Sequence, residues 1–558
     1  MMELRFDTYY SNEALDERLH WLAERYPRLA NLRSIGKSYE GRDLWLMTLT
    51  NTATGTDTAR PAFWVDGNIH ATEVTASMAA LYLIHRLLTG YDQDPQITRL
   101  LDEQVFYILP RMNPDGAALA LADHPRYVRS GTRPYPYEER QEGLHPEDIV
   151  GDGHILQMRI PDPTGDWKIS ERDPRLMVKR RLGEEGGQCY RLFPEGLIEG
   201  YDGHIIKMAR ALEGLDFNRN FPQEWMPEGR QYGAGPFPTS EPEVRAVVEF
   251  ITTHPNIGAG LTYHTYSRAI LRPYGTKSDD EFPVEDLWVF KAIANRGSEL
   301  TGYRNASVYH DFRYHPKETI KGVFDDWIYD YLGNYAFTVE LWDLPTAAGI
   351  KDRKFIEWFR EHPLSNDEAI LEWIDRQNDG AGLVPWRPFD HPQLGPVEIG
   401  GWDMMYTWRN PPPRHLLGEI APQSDFAIAF AALLPRLTWR AVELTPLGAG
   451  VYHLLAVIEN QGFLPTHISQ KAIEIKSVQP VRIELSLPEG AALQSGTLKT
   501  EVGHLAGRQN KLSQAYYGTS PTDNRAKAEW TLIAPHGGTL ILTAKSERTG
   551  TIERRVEL

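Results

Sequence analysis

The sequence predicts an α/β domain followed by a small β-sandwich, and three observations carry that prediction. Apolar strand-like runs alternate with helix-patterned stretches through roughly the first 350 residues, the rhythm of a sheet covered by helices on both faces. The proline run in "RNPPPRH", Arg409–His415, ends that rhythm, because proline continues neither a helix interior nor an inner strand. Beyond Pro435 the apolar period becomes two, as where Val481, Ile483 and Leu485 alternate with Arg482 and Glu484. The domains are accordingly placed at 1–375 and 436–558, with 376–435 as a connecting segment.

The elements follow in order. Leu15, Leu19, Leu22 and Ala23 share one face of a helix over Glu13–Tyr26. "SIGKSYEGRDLWLMTLTN" reads as two strands turning at Glu40-Gly41, and further strands are expected at Ala62–Val65, Val105–Leu109, Gly260–Tyr263 and Tyr335–Leu341. Helices are expected at Val74–Leu88, stopping before Gly90, and at Glu241–Ile251, where Ser240 and Glu243 have capping-box spacing. Residues 135–213 are charged, turn-rich and aperiodic, which marks an inserted surface subdomain. "WTLIAPHGGTLILTA" reads as a hairpin turning at His536-Gly537-Gly538.

Bulk properties narrow the function. A chain of 558 residues with 41% apolar content can bury large cores. A net charge of −17 repels nucleic acid and anionic membranes, so neither is expected as a partner. The single cysteine, Cys189, excludes an internal disulfide. The N-terminus carries no basic-then-apolar leader pattern, and no run approaches a membrane span of roughly 18 apolar residues. A cytoplasmic location is expected.

The stretch "GNIHATE", from Gly67, sets His70 and Glu73 where an apolar strand gives way to a helix. A catalytic zinc site needs three nitrogen or oxygen ligands and one open position. Two of them close together on one turn reduce the entropy cost of assembly, and the third must come from elsewhere. Alone, the H-x-x-E spacing is ambiguous, since glutamate also favours helix N-termini through the dipole.

Six motifs in the same order resolve the ambiguity. Over Tyr9–Leu344 the chain resembles the zinc carboxypeptidases of the pancreatic A/B type, through "SIGKSYEGRDLWLMTLTN", "GNIHATE", "NPDG" with "RYVRSGTR", "DFNRNF", "YHTYSRAILRPYG" and "FTVELW". The resemblance implies a mixed, mostly parallel central sheet and one zinc ion held by His70, Glu73 and His264. It implies Glu340 as the base that takes a proton from the attacking water, and Arg129 as the oxyanion arginine, with Arg126 and Arg133 as rivals. It places Asn218 and Arg219 on the substrate's terminal carboxylate and Tyr266 in a nearby subsite. The residue types suit these roles: Arg219 offers the planar fork a carboxylate requires, and Glu340 faces away from the apolar residues Phe337, Val339 and Leu341 of its strand. The expected partner is a peptide with a free C-terminus.

The chain also departs from the family. Thr72 stands where the pancreatic enzymes carry an arginine inside the ligand motif. Their mobile tyrosine position falls on Glu318, with Tyr314 four residues earlier as a substitute. Asp325 falls at the specificity-pocket position, which implies release of C-terminal Lys or Arg unless Arg268 or Arg272 neutralises it. A zinc amidase acting on peptidoglycan peptides, a deacylase of N-acyl amino acids and an inactive peptide-binding protein are the alternatives. The full set of ligands and base argues against the last.

Overall fold

The structure is a computed structural model that describes all residues except positions 1, 2, 314, 316, 352, 512, 513, 515 and 517. Its centre is an eight-stranded mixed sheet of β1 (Ala30–Lys37), β2 (Asp43–Leu49), β3 (Ala62–Gly67), β4 (Val105–Leu109), β5 (Ile257–Thr265), β6 (Ala269–Arg272), β7 (Arg304–Ser307) and β8 (Tyr335–Leu341). The spatial order is β1-β2-β4-β3-β5-β8-β6-β7, and the inner four, β4, β3, β5 and β8, run parallel. Both faces of these inner strands are buried, which is why they read as unbroken apolar runs.

Helices cover both faces. Phe63, Val65, Phe337 and Val339 pack with α1 (Asn12–Arg25), α2 (Val74–Gly90), α4 (Val284–Thr301) and α6 (Pro413–Ala431), whereas Ala62, Trp64, Tyr107 and Ala336 pack with α3 (Pro242–Thr253) and α5 (Phe324–Leu332). The alternation of neighbouring strand residues between two cores is the period-two geometry of a strand. Gly67 ends β3 where α2 crosses it: a Cβ there would lie 2.7 Å from the Ala76 carbonyl oxygen, so only glycine permits the approach.

Three local expectations differ from the structure. Ser240 and Glu243 form no capping box: Pro242 opens α3, Ser240 Oγ donates to Glu241, and Glu243 accepts from the Tyr39 amide of the first hairpin. Tertiary demand for that acceptor outweighs the local cap. Residues 376–435 are not a passive connection. The strands Leu383–His391 and Gly395–Trp402 pair with each other, and the second pairs with the inserted strand Gln157–Pro161, so the insertion completes its sheet from beyond the catalytic motifs. α6 then enters the main core, with Phe430 edge-on to Phe63 and Phe337 at 5.1 and 5.5 Å. The sequence around His536 is not a hairpin either. Arg525–Ile533 pairs with Val451–Asn460 in one sheet, while Thr539–Ser546 pairs with Val481–Ser486 in the other. The Gly537-Gly538 turn therefore crosses between sheets.

Those two four-stranded antiparallel sheets enclose a separate core around Leu454, Ile483, Trp530 and Leu542, a β-sandwich. It meets the main sheet at the amino ends of the parallel strands. There Arg548, 3% exposed, donates to the carbonyls of Pro255 (2.7 Å), Ile257 and Leu332 (3.0 Å). Three carbonyls satisfy a charge that burial makes expensive, lowering its pKa to about 10.

Candidate metal centre

The carboxyl ends of β3, β5 and β8 meet at the opposite edge. β3 continues to β4 on one side while β5 lies on its other side, and such a switch in strand order opens a crevice. His70 lies three residues past β3, and Glu73 is the residue before α2. His264 and Glu340 are each one residue from the end of their strands and are register partners across the β5–β8 pair.

His70, Glu73 and His264 converge, all buried. His70 Nδ1 lies 2.9 Å from Glu73 Oε1, His264 Nδ1 lies 3.2 Å from Glu73 Oε2, and the two Nδ1 atoms are 3.1 Å apart. Tetrahedral zinc with bonds near 2.1 Å requires ligand atoms about 3.4 Å apart, so this donor set fits such an ion with little adjustment. Burial lowers the pKa of His264 and keeps its imidazole neutral, as a ligand must be. Burial would raise Glu73, but the charge of His70 and the hydrogen bonds of His264 and His70 prevail and hold it well below the usual range. Another acidic group among the described residues, Asp148, Asp152 and Glu195, comes as close but contains no histidine.

Asp216, which opens the "DFNRNF" turn, was absent from the sequence-based site yet joins three of its parts. Its Oδ1 lies 3.2 Å from His70 Nε2 and accepts the Asn218 amide, and its Oδ2 accepts from Arg129 Nε at 2.9 Å. Burial opposes its ionisation, but Arg129, Arg219 and His70 hold it well below the usual carboxylate range. A carboxylate on the far nitrogen of a ligand histidine orients the ring and raises its basicity. The "D" of the motif was the available signal.

The three candidate oxyanion arginines separate cleanly. Arg126 pairs with Glu213 and Arg133 with Glu241, each at 2.5 Å, whereas Arg129 Nη1 reaches Glu73 Oε1 at 3.4 Å. Glu340 stands on the sheet face opposite Val339, and its Oε2 is buried with no hydrogen-bond partner among the described residues. Burial first, then the charge of Glu73, pushes its pKa well up, while Arg129, Arg304 and Arg409 pull the other way. Arg304 also borders a pocket of about 640 Å³ whose lining holds Arg313, Arg353, Lys354 and Arg360 beside Asp311 and Glu357.

A match to the family model described as zinc carboxypeptidase covers residues 15–358. The chain belongs to the zinc carboxypeptidase family. Mouse carboxypeptidase A4 is 25% identical over 354 residues, 61% of this chain and 64% of its own length. Human carboxypeptidase B2 is 26% identical over 63% of this chain and 67% of its own. The chain thus spans less than two thirds of the length of the first of these relatives. The crystal structure of carboxypeptidase A from Helicoverpa armigera aligns over 68% of this chain and 74% of its own, at 20% identity and a TM-score of 0.42. Residues 436–557 match a model of a domain of unknown function.

Within this zinc carboxypeptidase fold, Asn218 is buried and accepts the Phe324 amide through Oδ1. Arg219 Nη1 donates to the Asn218 carbonyl, and among the described residues its guanidinium forms no ion pair. Asp325 lies in the first turn of α5, its Oδ2 3.2 Å from Thr338 Oγ1, on the strand face that carries Glu340. Neither arginine expected to neutralise it does so: Arg268 pairs with Glu419 and Arg272 with Asp279. Tyr266 follows two residues after His264 and contacts the Phe359 ring edge-on. Tyr314 lies outside the described residues, and Glu318 is exposed.

Proposed function

We propose that this chain is a metallocarboxypeptidase that releases the last residue of peptides ending in a free carboxylate. The observation that carries the reading is Arg219, a guanidinium beside Asn218 that forms no ion pair among the described residues, though its charge is felt at Asp216 and Asp325. A planar bidentate donor outside any ion pair is the complement of a carboxylate. Zinc held by His70, Glu73 and His264 would polarise the scissile carbonyl and acidify water. Glu340, with Oε2 unpartnered and its pKa raised, holds and moves the proton, taking it from the attacking water and delivering it to the leaving amine. Arg129 presents fixed donors to the developing oxyanion. The test compares peptides with free and amidated C-termini. Release from the free acid, lowered about 100-fold or more by Arg219→Met and absent from the amide, is the expected result; equal cleavage of both refutes the assignment.

We further propose a preference for C-terminal Lys or Arg, supported by Asp325, a buried acid against Thr338 on the strand face that carries Glu340. Asp325 is pushed up to about 6 by burial, and the neighbouring Asp326 is raised further by burial and by Asp325. A raised carboxyl keeps its charge above that value and loses it below. The ratio of Lys to Phe release is therefore expected to fall about fourfold between pH 7.5 and 5.5, and to show no such fall in Asp325→Asn. Initial rates on peptide pairs differing only in the last residue check this.

A further inference from the structure

The helix that carries Glu73 has an unusual problem at its start. Glu73 is its N-cap residue, but its carboxylate is turned to the two histidines and makes no side-chain cap bond. The first-turn amides of α2 then need another acceptor, since unsatisfied buried N–H groups are costly. Asn410, fully buried and 335 residues away from Thr75 in sequence, supplies it. Its Oδ1 accepts both the Thr75 amide at 3.0 Å and Thr75 Oγ1 at 2.8 Å, while its Nδ2 donates to the carbonyls of Thr72 at 2.7 Å and Met405 at 3.0 Å. The turn from Thr72 to Thr75, with Glu73 inside it, is thus clasped by one amide side chain. Its neighbour Arg409 reaches the same turn, with Nη1 donating to Thr72 Oγ1 at 2.8 Å. Arg409 is half-buried, forms no ion pair among the described residues, and its charge is felt at Glu340. Both residues lie beyond 358, outside the stretch that matches the family model.

We propose that Arg409 and Asn410 belong to the active site, Asn410 as the positioning residue that holds the Glu73 turn for the metal and Arg409 as a donor to a main-chain carbonyl of the peptide upstream of the scissile bond. The division of labour follows from burial. Asn410 has no route to substrate and acts through Glu73. Arg409 binds Thr72 through Nη1 and its charge reaches Glu340, and among the described residues its other guanidinium donors have no partner. The assignment to Arg409 rests on the carboxypeptidase reading, whereas that to Asn410 does not.

Two measurements test it on the full chain. Zinc affinity is read by chelator competition for wild type, Asn410→Ala and Asn460→Ala. Asn460 is an equally buried asparagine in the sandwich, also making four hydrogen bonds, and serves as the structural control. Asn410→Ala is expected to weaken zinc binding about 10- to 100-fold, with Asn460→Ala at the wild-type value. Equal affinity in all three, or an equal loss in both variants, overturns the role of Asn410. Peptide binding is read by calorimetry on zinc-loaded Glu340→Gln with and without Arg409→Met. A tripeptide is expected to bind about 10-fold more weakly without Arg409, and an unblocked dipeptide equally. No difference for the tripeptide, or no binding at all, overturns the role of Arg409. Turnover by wild type is scored separately, so failure of the carboxypeptidase reading is visible apart from either result.

Discussion

Glu340→Gln is expected to lower kcat by about 10²- to 10⁴-fold while zinc content stays at one ion per chain. Gln keeps the shape and the position on β8 but takes no proton, so the loss isolates the proton-transfer role from packing. The same substitution carries a signed stability effect. Burial and then the charge of Glu73 raise the pKa of Glu340 in the folded chain. A carboxyl raised on folding is more easily protonated folded than unfolded, so its ionised form opposes folding above the unfolded value near 4.3. Stripped of metal, the Gln variant is therefore expected to unfold at higher temperature than stripped wild type at pH 7.5. The gap should close toward pH 4. Loss of activity together with loss of zinc would instead make Glu340 a ligand-supporting residue.

Removing the metal with a chelator is expected to abolish peptide hydrolysis and to destabilise the domain, and zinc should restore both. At free zinc about 1,000-fold above its dissociation constant, binding to the folded form alone stabilises by about 4 kcal/mol. Without it, the two Nδ1 atoms 3.1 Å apart and the buried Glu73 lose the cation they converge on. The pH dependence also has a sign. Burial lowers the pKa of His264, so protons displace zinc from it only at a pH below the ordinary histidine value near 6.5. Zinc retention at pH 6 is the expected result, measured by metal content after gel filtration. Insensitivity of both activity and unfolding to chelation would remove the metal centre from the account.

Much of the site was written in short spacings. His70 and Glu73 sit on one turn and Asn218 and Arg219 on another, so their neighbourhood is covalent before it is spatial. Glu340 was legible through strand alternation, because Phe337, Val339 and Leu341 define the face it avoids. The buried strands β3, β4, β5 and β8 were legible as continuous apolar runs, since both their faces pack against helices. The second sheet face of the sandwich was misread at Gly537-Gly538 because a tight turn has the same composition whether its strands pair or part.

The chain by itself pointed to the candidate ligands, the candidate base and the candidate carboxylate fork, and to two cores. Tertiary structure alone decided which arginine lies against Glu73, because Arg126, Arg129 and Arg133 are equivalent until Glu213 and Glu241 claim two of them. It alone decided that Arg268 and Arg272 pair with Glu419 and Asp279 rather than with Asp325, and that Asn410 caps a helix 335 residues upstream. The physical reason is common to these cases. A polar side chain takes the partner that folding brings within about 3 Å, and sequence separation holds no record of that choice.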